Sequence, residues 1–495
     1  MEQAALNKLL TYLPPEVREA VRAVFTVQQQ AIAQRDEVIE SLEQRIRELE
    51  AQLNQNSRNS SRPPSSDGPK KPRAGKGSKK GRKPGGQPGH KGSTLKMVPS
   101  EEAKIENHYP AACSGCGAGL SKQPSSGYER RQVFDIPPIK IAVTEHRAHY
   151  ACCPCCGERT QSSFPAEATN NAVYGPNLRS MASYCMAYQL IPYERTAELL
   201  SDLLGQPVSQ GTLDNMLSQA SAGLECFVEQ VVKCLQQEEV AGFDETTVRA
   251  QGRQAYAHVA SASKHTFFYL GKRDYATMDE MGILPEFKGI AIHDRYANYF
   301  GYNCEHGLCN AHLLRDLEAV IEQSSDYWAC ELQQLLKNIN KAVKRAKAQG
   351  KTAFSASHCA QYRQRYMNWV KAGLKLHPAV EKLPGSKGPP KQSKNHNLLT
   401  ALQDYADEVL RFMYDFRVPF DNNRAERDIR MLKVKMKISG FFHSLETGNR
   451  FLRIRAFLST AKKQGYSAFE ALKQLFSPKA DEFIWKLVWG MCQCG

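Results

Sequence analysis

Val240-Ala241-Gly242-Phe243-Asp244 and Ile290-Ala291-Ile292-His293-Asp294 are two short apolar runs, each ending in a carboxylate. Between them, Thr246 to Ala250 and Ala255 to Ala260 flank a Gly252-Arg253 turn, and His265 to Leu270 reads as a further strand. A helix near Met278 precedes Phe287-Lys288-Gly289 and the second run. This order predicts an α/β sheet with Asp244 and Asp294 at strand ends, where open α/β sheets place their ligands.

Two carboxylates on neighbouring strand ends repel, and burying them is costly unless a positive charge sits between them. A hard divalent cation such as Mg²⁺ meets that need. Two such ions, about 3.5 to 4 Å apart, can clamp the attacking and leaving oxygens of an in-line phosphoryl displacement. The best-placed third acid lies downstream, in VPFDNNRAERDIRMLKVKMKISGFF. Pro419 and Asp421, the latter read as an N-cap, start a helix that carries Glu426 in its second turn. Arg430 and Lys433 follow at i+4 and i+7 on the same face, so a carboxylate stands among cations suited to DNA phosphates.

Upstream of the sheet, residues 175 to 235 read as helical. ERTAELLSDLLG, a glycine turn and the Ser209-capped QGTLDNMLSQA have the grammar of a helix-turn-helix, which ordinary helical hairpins share. Further upstream, Cys113-Ser-Gly-Cys116-Gly117 and HYACCPCCGERT supply two CxxC pairs, the pattern of a four-thiolate zinc site. The second pair is open in register among Cys152, Cys153, Cys155 and Cys156. The reading adopted is Cys153 with Cys156, because Gly157 then repeats the position of Gly117. Fifteen cysteines, six of them crowded here, point to metal binding in a reducing compartment, not to disulfides.

Charge is uneven. Lys and Arg number 66 against 51 acids, and residues 54 to 100 hold 12 of those cations and one acid, Asp67. That segment can bury almost nothing and reads as a disordered basic arm, with Lys79, Lys80, Arg82 and Lys83 at its centre for phosphate contact. Before it, Phe25, Ile32, Ile39, Ile46 and Leu53 recur every seven residues, with Leu42 and Leu49 on the second seam position. A short coiled coil follows, although Gln28 and Arg35 interrupt the second seam. No apolar run reaches the roughly 18 to 20 residues of a membrane helix, and MEQAALNKLL has no basic region leading into an apolar core.

Taken in order, NSRNSSRPPSSD, GGQPGHKG, the two CxxC knuckles, GFDET, HDRYANYF, CNAHLLRDL, DNNRAERDIR and ISGFF resemble the bacterial insertion-sequence transposases of the family numbered sixty-six. The resemblance implies a leucine zipper, a zinc finger and a ribonuclease H-like catalytic core whose DDE triad is Asp244, Asp294 and Glu426. It also accounts for the excess in the 132-position separation of the last two acids as a mostly helical insertion from about Leu313 to Asn397, with LPGSKGPPKQSKNHN as its flexible part. Cys309 and His312 resemble a Cys-x-x-His feature of transposases with such insertions, and they read as packing residues at a strand-helix junction.

The expected architecture is multidomain α+β. A helical zipper spans 1-55, a basic linker 56-100, a zinc-binding module 101-170 and a helix-turn-helix-like unit 171-235. The catalytic domain spans 236-465, with the insertion at about 313-397, and a helical tail spans 466-495. The expected activity is binding to the ends of an insertion sequence, followed by metal-dependent cleavage and strand transfer. The implied cofactors are Mg²⁺ or Mn²⁺ at the catalytic site and structural Zn²⁺. The implied partners are double-stranded DNA, further copies of the chain and small proteins of the same element, without a membrane. A cytoplasmic, nucleoid-associated location in a bacterium follows from the same reading. The rivals are a DNA-binding regulator without catalysis and a nuclease of the same fold, which metal-dependent cleavage and joined products would separate.

Overall fold

The computed structural model describes residues 14–56, 59–60, 94–137, 139–165, 167–324, 326–382 and 388–490. Most of the basic arm, with Lys79, Lys80, Arg82 and Lys83, and the start of LPGSKGPPKQSKNHN lie outside the described residues. The chain divides into a large unit of Met1–Gly68, Thr169–Ala197 and Val208–Gly495, and a small unit of Pro69–Ala168 and Glu198–Pro207.

In chain order, the first elements are helix α1 (Pro15–Leu53), the hairpin strands β1 (Tyr150–Cys152) and β2 (Arg159–Gln161), then α2 (Pro176–Ser183), α3 (Tyr193–Leu204), α4 (Gln210–Ala222) and α5 (Glu225–Gln236). Then come β3 (Val240–Ala250), β4 (Arg253–Ser261), β5 (Thr266–Gly271), α6 (Tyr275–Glu280), β6 (Ile290–His293) and β7 (Glu305–Leu308). The helices α7 (Asn310–Ser324), α8 (Tyr327–Ala348), α9 (Ala356–Leu376), α10 (Lys394–Asp404) and α11 (Ala406–Tyr414) follow. The last are α12 (Asn423–Ser439), α13 (Leu445–Lys463), α14 (Ala468–Leu475) and α15 (Ala480–Trp489).

Five strands form one mixed sheet in the order β5-β4-β3-β6-β7. β3, β4 and β5 are an antiparallel meander, and β6 and β7 add in parallel on the other side of β3. The first strand is longer than its sequence suggests. Val240–Asp244 and Thr246–Ala250 are one continuous strand, so Asp244 lies partway along it and not at its end. The hairpin turns at Gln251 and Gly252, both with positive φ, the mirror-image geometry that matches strand twist.

Helix α12 seats Ala425, Ile429 and Leu432 on β3 and β4, all three buried at i, i+4 and i+7. Its start differs from expectation. Asn422 is the N-cap position, the helix begins at Asn423, and Glu426 therefore sits in the first turn; Asp421 only accepts from Asn423 N at 3.2 Å. Asn422 is buried and donates from Nδ2 to Phe243 O at 2.7 Å. A Cβ on Gly242 would lie 2.2 Å from Asn422 Oδ1, so a bare backbone at 242 is what permits this seating.

The helices from α7 to α10 cover the stretch from about Leu313 to Asn397, and α11 follows it. Trp328, Leu336, Tyr366, Leu399 and Val409 belong to one hydrophobic cluster with Ile290, Ile292 and Leu308 of the sheet. In the large unit α4 packs against α13, where Arg450 donates to Asp214, and α14 packs against α2. Among the described residues no helix is long and apolar enough to cross a membrane.

Gly242→Ala should cost about 1 to 3 kcal/mol, because either the asparagine or the helix must move. A denaturation curve with the midpoint of the parent chain would show that the contact does not bind α12 to the sheet.

Candidate active site

The register of β3 and β6 leads up to the first two acids. β3 and β6 pair in parallel as Val240 with Ile290, Ala241 with Ala291 and Gly242 with Ile292. Continuing that register places Asp244 level with Asp294, on chains about 4.8 Å apart. Asp244 Oδ1 accepts from Glu245 N at 2.9 Å, and Asp294 Oδ1 accepts from Tyr296 N at 2.9 Å.

The surroundings are acid-rich. Burial, helped by the charges of Glu245, Asp294 and Glu426, pushes the Asp244 carboxyl up to about 8. Burial and Asp294 likewise raise Glu245, which accepts from Tyr299 Oη at 2.7 Å and from Arg273 Nε at 2.8 Å. Sequence reasoning passed over Glu245, Arg273 and Tyr299. The adjacency of Glu245 to Asp244 in GFDET was the available signal, whereas the arginine and tyrosine come from distant segments. Burial also drives His293 down to about 3, so this ring is neutral beside Asp294.

Glu426 reaches the same neighbourhood from α12, yet its nearest polar neighbours belong to the β7–α7 junction. Cys309 Sγ donates to Oε1 at 3.7 Å, His312 Nδ1 stands 3.9 Å from Oε1, and an Arg315 nitrogen lies 3.9 Å from Oε2. The thiol is buried, pushed up to about 12, and takes a hydrogen bond from Asn422 N at 3.2 Å. Cys309 and His312 therefore do more than pack. With Glu426 they form the group among the described residues whose ligand atoms lie within 4.8 Å of one another, and His312 Nδ1 is buried without a hydrogen-bond partner. The carboxylates of Asp244, Asp294 and Glu426 do not close to that mutual range. Arg430 and Lys433 are exposed one and two turns beyond Glu426.

Several side chains fix the Asp294 loop. Arg295 pairs with Asp316 at 2.7 Å, and Tyr296 Oη donates to Arg273 O at 2.9 Å. Phe300 stacks on Tyr405, ring centroids 4.4 Å apart. Arg273 is taken up by Glu245, and Asp244, raised by burial and by the charges of Glu245, Asp294 and Glu426, stays costly to ionise without an added positive charge.

In the small unit the two cysteine knuckles have the same backbone geometry. Cys113 N donates to Ala118 O at 2.8 Å and Gly117 N to Cys113 O at 2.9 Å; Cys153 N donates to Glu158 O at 2.8 Å and Gly157 N to Cys153 O at 2.9 Å. Gly117 and Gly157 have φ of +73° and +78°. In each knuckle, amides aimed at the first sulfur lower its thiol, from Gly115 and Cys116 onto Cys113 and from Cys156 and Cys155 onto Cys153. Amide donors on thiolates are what a structural zinc site needs, so the donor set fits. Cys152 instead belongs to β1, paired with Arg159. No three of the four sulfurs Cys113, Cys116, Cys153 and Cys156 lie within 4.8 Å of one another.

The raised Asp244 carboxyl makes stability depend on pH. Its folded value exceeds its unfolded one, so the folded chain holds a proton that the unfolded chain has released, and stability falls as pH rises from about 4 to about 8. Without divalent metal, Asp244→Asn should leave the melting temperature nearly unchanged at pH 4.5 and raise stability at pH 8.5 by up to a few kcal/mol. Equal melting temperatures for parent and variant at pH 8.5 would contradict the electrostatic account.

Comparison with known proteins bears on this arrangement. A family profile described as the Transposase IS66 family matches residues 171–450. Another, described as the zinc-finger binding domain of transposase IS66, matches residues 110–157 and so contains both knuckles. A profile of a family of unknown function matches residues 12–96. A search of curated proteins found no match. The first profile spans more than half of the chain, including Asp244, Asp294 and Glu426, and the chain therefore belongs to the IS66 transposase family.

Proposed function

We propose that this transposase cleaves DNA at the ends of its element and joins the freed 3′ ends to target DNA, using Asp244, Asp294 and Glu426. The observation that supports the reading is the parallel register of β3 and β6, which runs to two residues before Asp244 and Asp294, together with the charges of Asp294 and Glu426 that help raise the Asp244 carboxyl. The strand order and directions of the sheet, with β4 antiparallel to the other four strands, support a ribonuclease H-like core.

Asp244, Asp294 and Glu426 would hold Mg²⁺ or Mn²⁺, which supplies the positive charge that in-line phosphoryl displacement needs. The chain's own groups orient this site. Tyr296 N fixes the Asp294 carboxylate, while Arg273 and Tyr299 hold Glu245 and keep its charge from adding fully to the other acids. Arg430 and Lys433 lie exposed on the Glu426 side of α12, where they can meet DNA phosphates. In the first step water attacks an end phosphodiester and a 3′ hydroxyl leaves. In the second, that hydroxyl attacks a target phosphodiester and displaces its 3′ oxygen. Neither step needs a covalent bond to the protein.

Cys113, Cys116, Cys153 and Cys156 would hold one structural Zn²⁺. The exposed Ile32, Ile39, Leu42, Ile46 and Leu49 of α1 support a coiled coil with another copy of the chain. The basic arm, with Lys79, Lys80, Arg82 and Lys83, would add affinity without sequence preference, leaving preference to the zinc module and the 171–235 helices. Accessory proteins of the element remain part of the reading.

Asp244→Asn, Asp294→Asn and Glu426→Gln should each bind end DNA with little change and abolish cleavage and joining in Mg²⁺ or Mn²⁺. Full cleavage by any of the three removes that residue from the triad, and cleavage by the parent chain with no joined product makes it a nuclease. Zinc is tested on the purified full chain by elemental analysis. One zinc per chain is expected for the parent and for Cys152→Ser, and loss is expected for Cys153→Ser. The opposite pattern would transfer the ligand role to Cys152.

A further inference from the structure

Helix α12 has three faces, and one of them serves neither the core nor the acid site. Ala425, Ile429 and Leu432 pack on the sheet, and Glu426, Arg430 and Lys433 form the flank already described. Arg424, Arg427, Asp428 and Met431, spaced i, i+3, i+4 and i+7, line a cavity of about 490 Å³ on the opposite flank. Helix α13 contributes Arg455, Lys462 and Lys463 to it, and Tyr188 closes one wall. Five cations against one carboxylate give the cavity a net charge of +4.

The inner charges are fixed by the fold. Lys463 is paired with Asp428 at 2.8 Å, and it also donates to Ser261 Oγ and to the carbonyls of Ala262 and His265. Asp428 accepts in addition from Ser261, Thr266 and Ser459 hydroxyls, which ties α12 to β4, β5 and α13. Arg455 is buried, donates to Ala187 O at 3.2 Å and lies over the Tyr188 ring at 5.3 Å, and Lys462 donates to Tyr188 Oη. At the rim the situation reverses. Arg424 and Arg427 are exposed, and neither forms an ion pair among the described residues.

A buried arginine is costly unless it gains a counter-charge, and burial lowers the Arg455 guanidinium here with only partial relief from Asp428. A bound anion would supply that charge. We infer that the cleft between α12 and α13 binds the phosphodiester backbone of a DNA strand, with Arg424 and Arg427 as its open contacts. The rim favours a chain over a small anion. Arg424, Arg427 and Arg430 form an exposed row over the crest of α12, so a backbone entering the cleft is led across the helix toward the Glu426 flank. This assignment rests on the reading that the chain acts on DNA.

The test uses the full chain and fluorescent duplex and single-stranded oligonucleotides carrying the element end, titrated from 0.05 to 0.3 M salt. Arg424→Gln/Arg427→Gln should melt like the parent, bind the duplex roughly tenfold more weakly, and show a slope of log affinity against log salt shallower by about 1.8, the value for two lost phosphate contacts. The pair Lys371→Gln/Lys375→Gln, exposed on α9, removes the same charge elsewhere and should lose much less. If the α9 pair loses as much, the effect is net charge alone and the cleft is not a binding site. If the rim pair binds DNA like the parent, the cleft is likewise excluded while the transposase reading stands. A parent chain that binds no DNA would refute that reading itself. A mononucleotide arm separates the sources of phosphate: rim variants that lose mononucleotide binding but keep DNA affinity would make the cleft a small-anion site and overturn the proposal.

Discussion

The site depends on how closely α12 approaches β3. At Gly242 the strand presents bare backbone, and Asn422 fills the space where a side chain would stand and donates to Phe243 O. The same asparagine donates its amide to Cys309, so a single residue joins the central strand, the start of α12 and the β7–α7 junction. Glu426 lies one helical turn beyond this anchor, and its position is set by that anchor.

Holding several acids together opposes this seating, and the opposition must be met elsewhere on the helix. Two residues after Glu426, Asp428 accepts four hydrogen bonds or ion-pair contacts from β4, β5 and α13. A partly buried charge with that many donors is held firmly, and breaking such a pair typically costs 3 to 5 kcal/mol. The helix is thus fixed by one satisfied carboxylate while it presents another with poorly satisfied neighbours. His312 Nδ1, buried without a hydrogen-bond partner among the described residues, belongs to this unsatisfied side.

What could be read from the sequence was what depends on short-range pattern. The two apolar runs gave strands at β3 and β6 and drew attention to the two aspartates, because strand periodicity is visible within a few residues. The repeated CxxCG likewise anticipated two knuckles of the same shape. The length of β3 was misjudged, since nothing local marks a strand that continues past a charged pair, Asp244 and Glu245, into a hairpin. Asp421 looked like the better cap because caps are judged by local hydrogen bonding, whereas Asn422 holds its place through a partner 179 residues away. Glu245, Arg273 and Tyr299 were missed for the same reason: each is ordinary alone, and their role exists only after the sheet and the 297–301 turn have come together.

The same long-range ties make the helices after β7 part of the site's mechanics. Their core continues into Ile290, Ile292 and Leu308, and so into the strand that leads to Asp294 and the one that leads to Cys309. Tyr405 stacks on Phe300, and Asp316 holds Arg295. The Asp294 loop is therefore held by Asp316 of α7 and by Tyr405 at the start of α11. A displacement of α7 or α11 would act on the Asp294 loop through a salt bridge and a ring contact. These helices thus bear on the position of the Asp294 loop relative to β3.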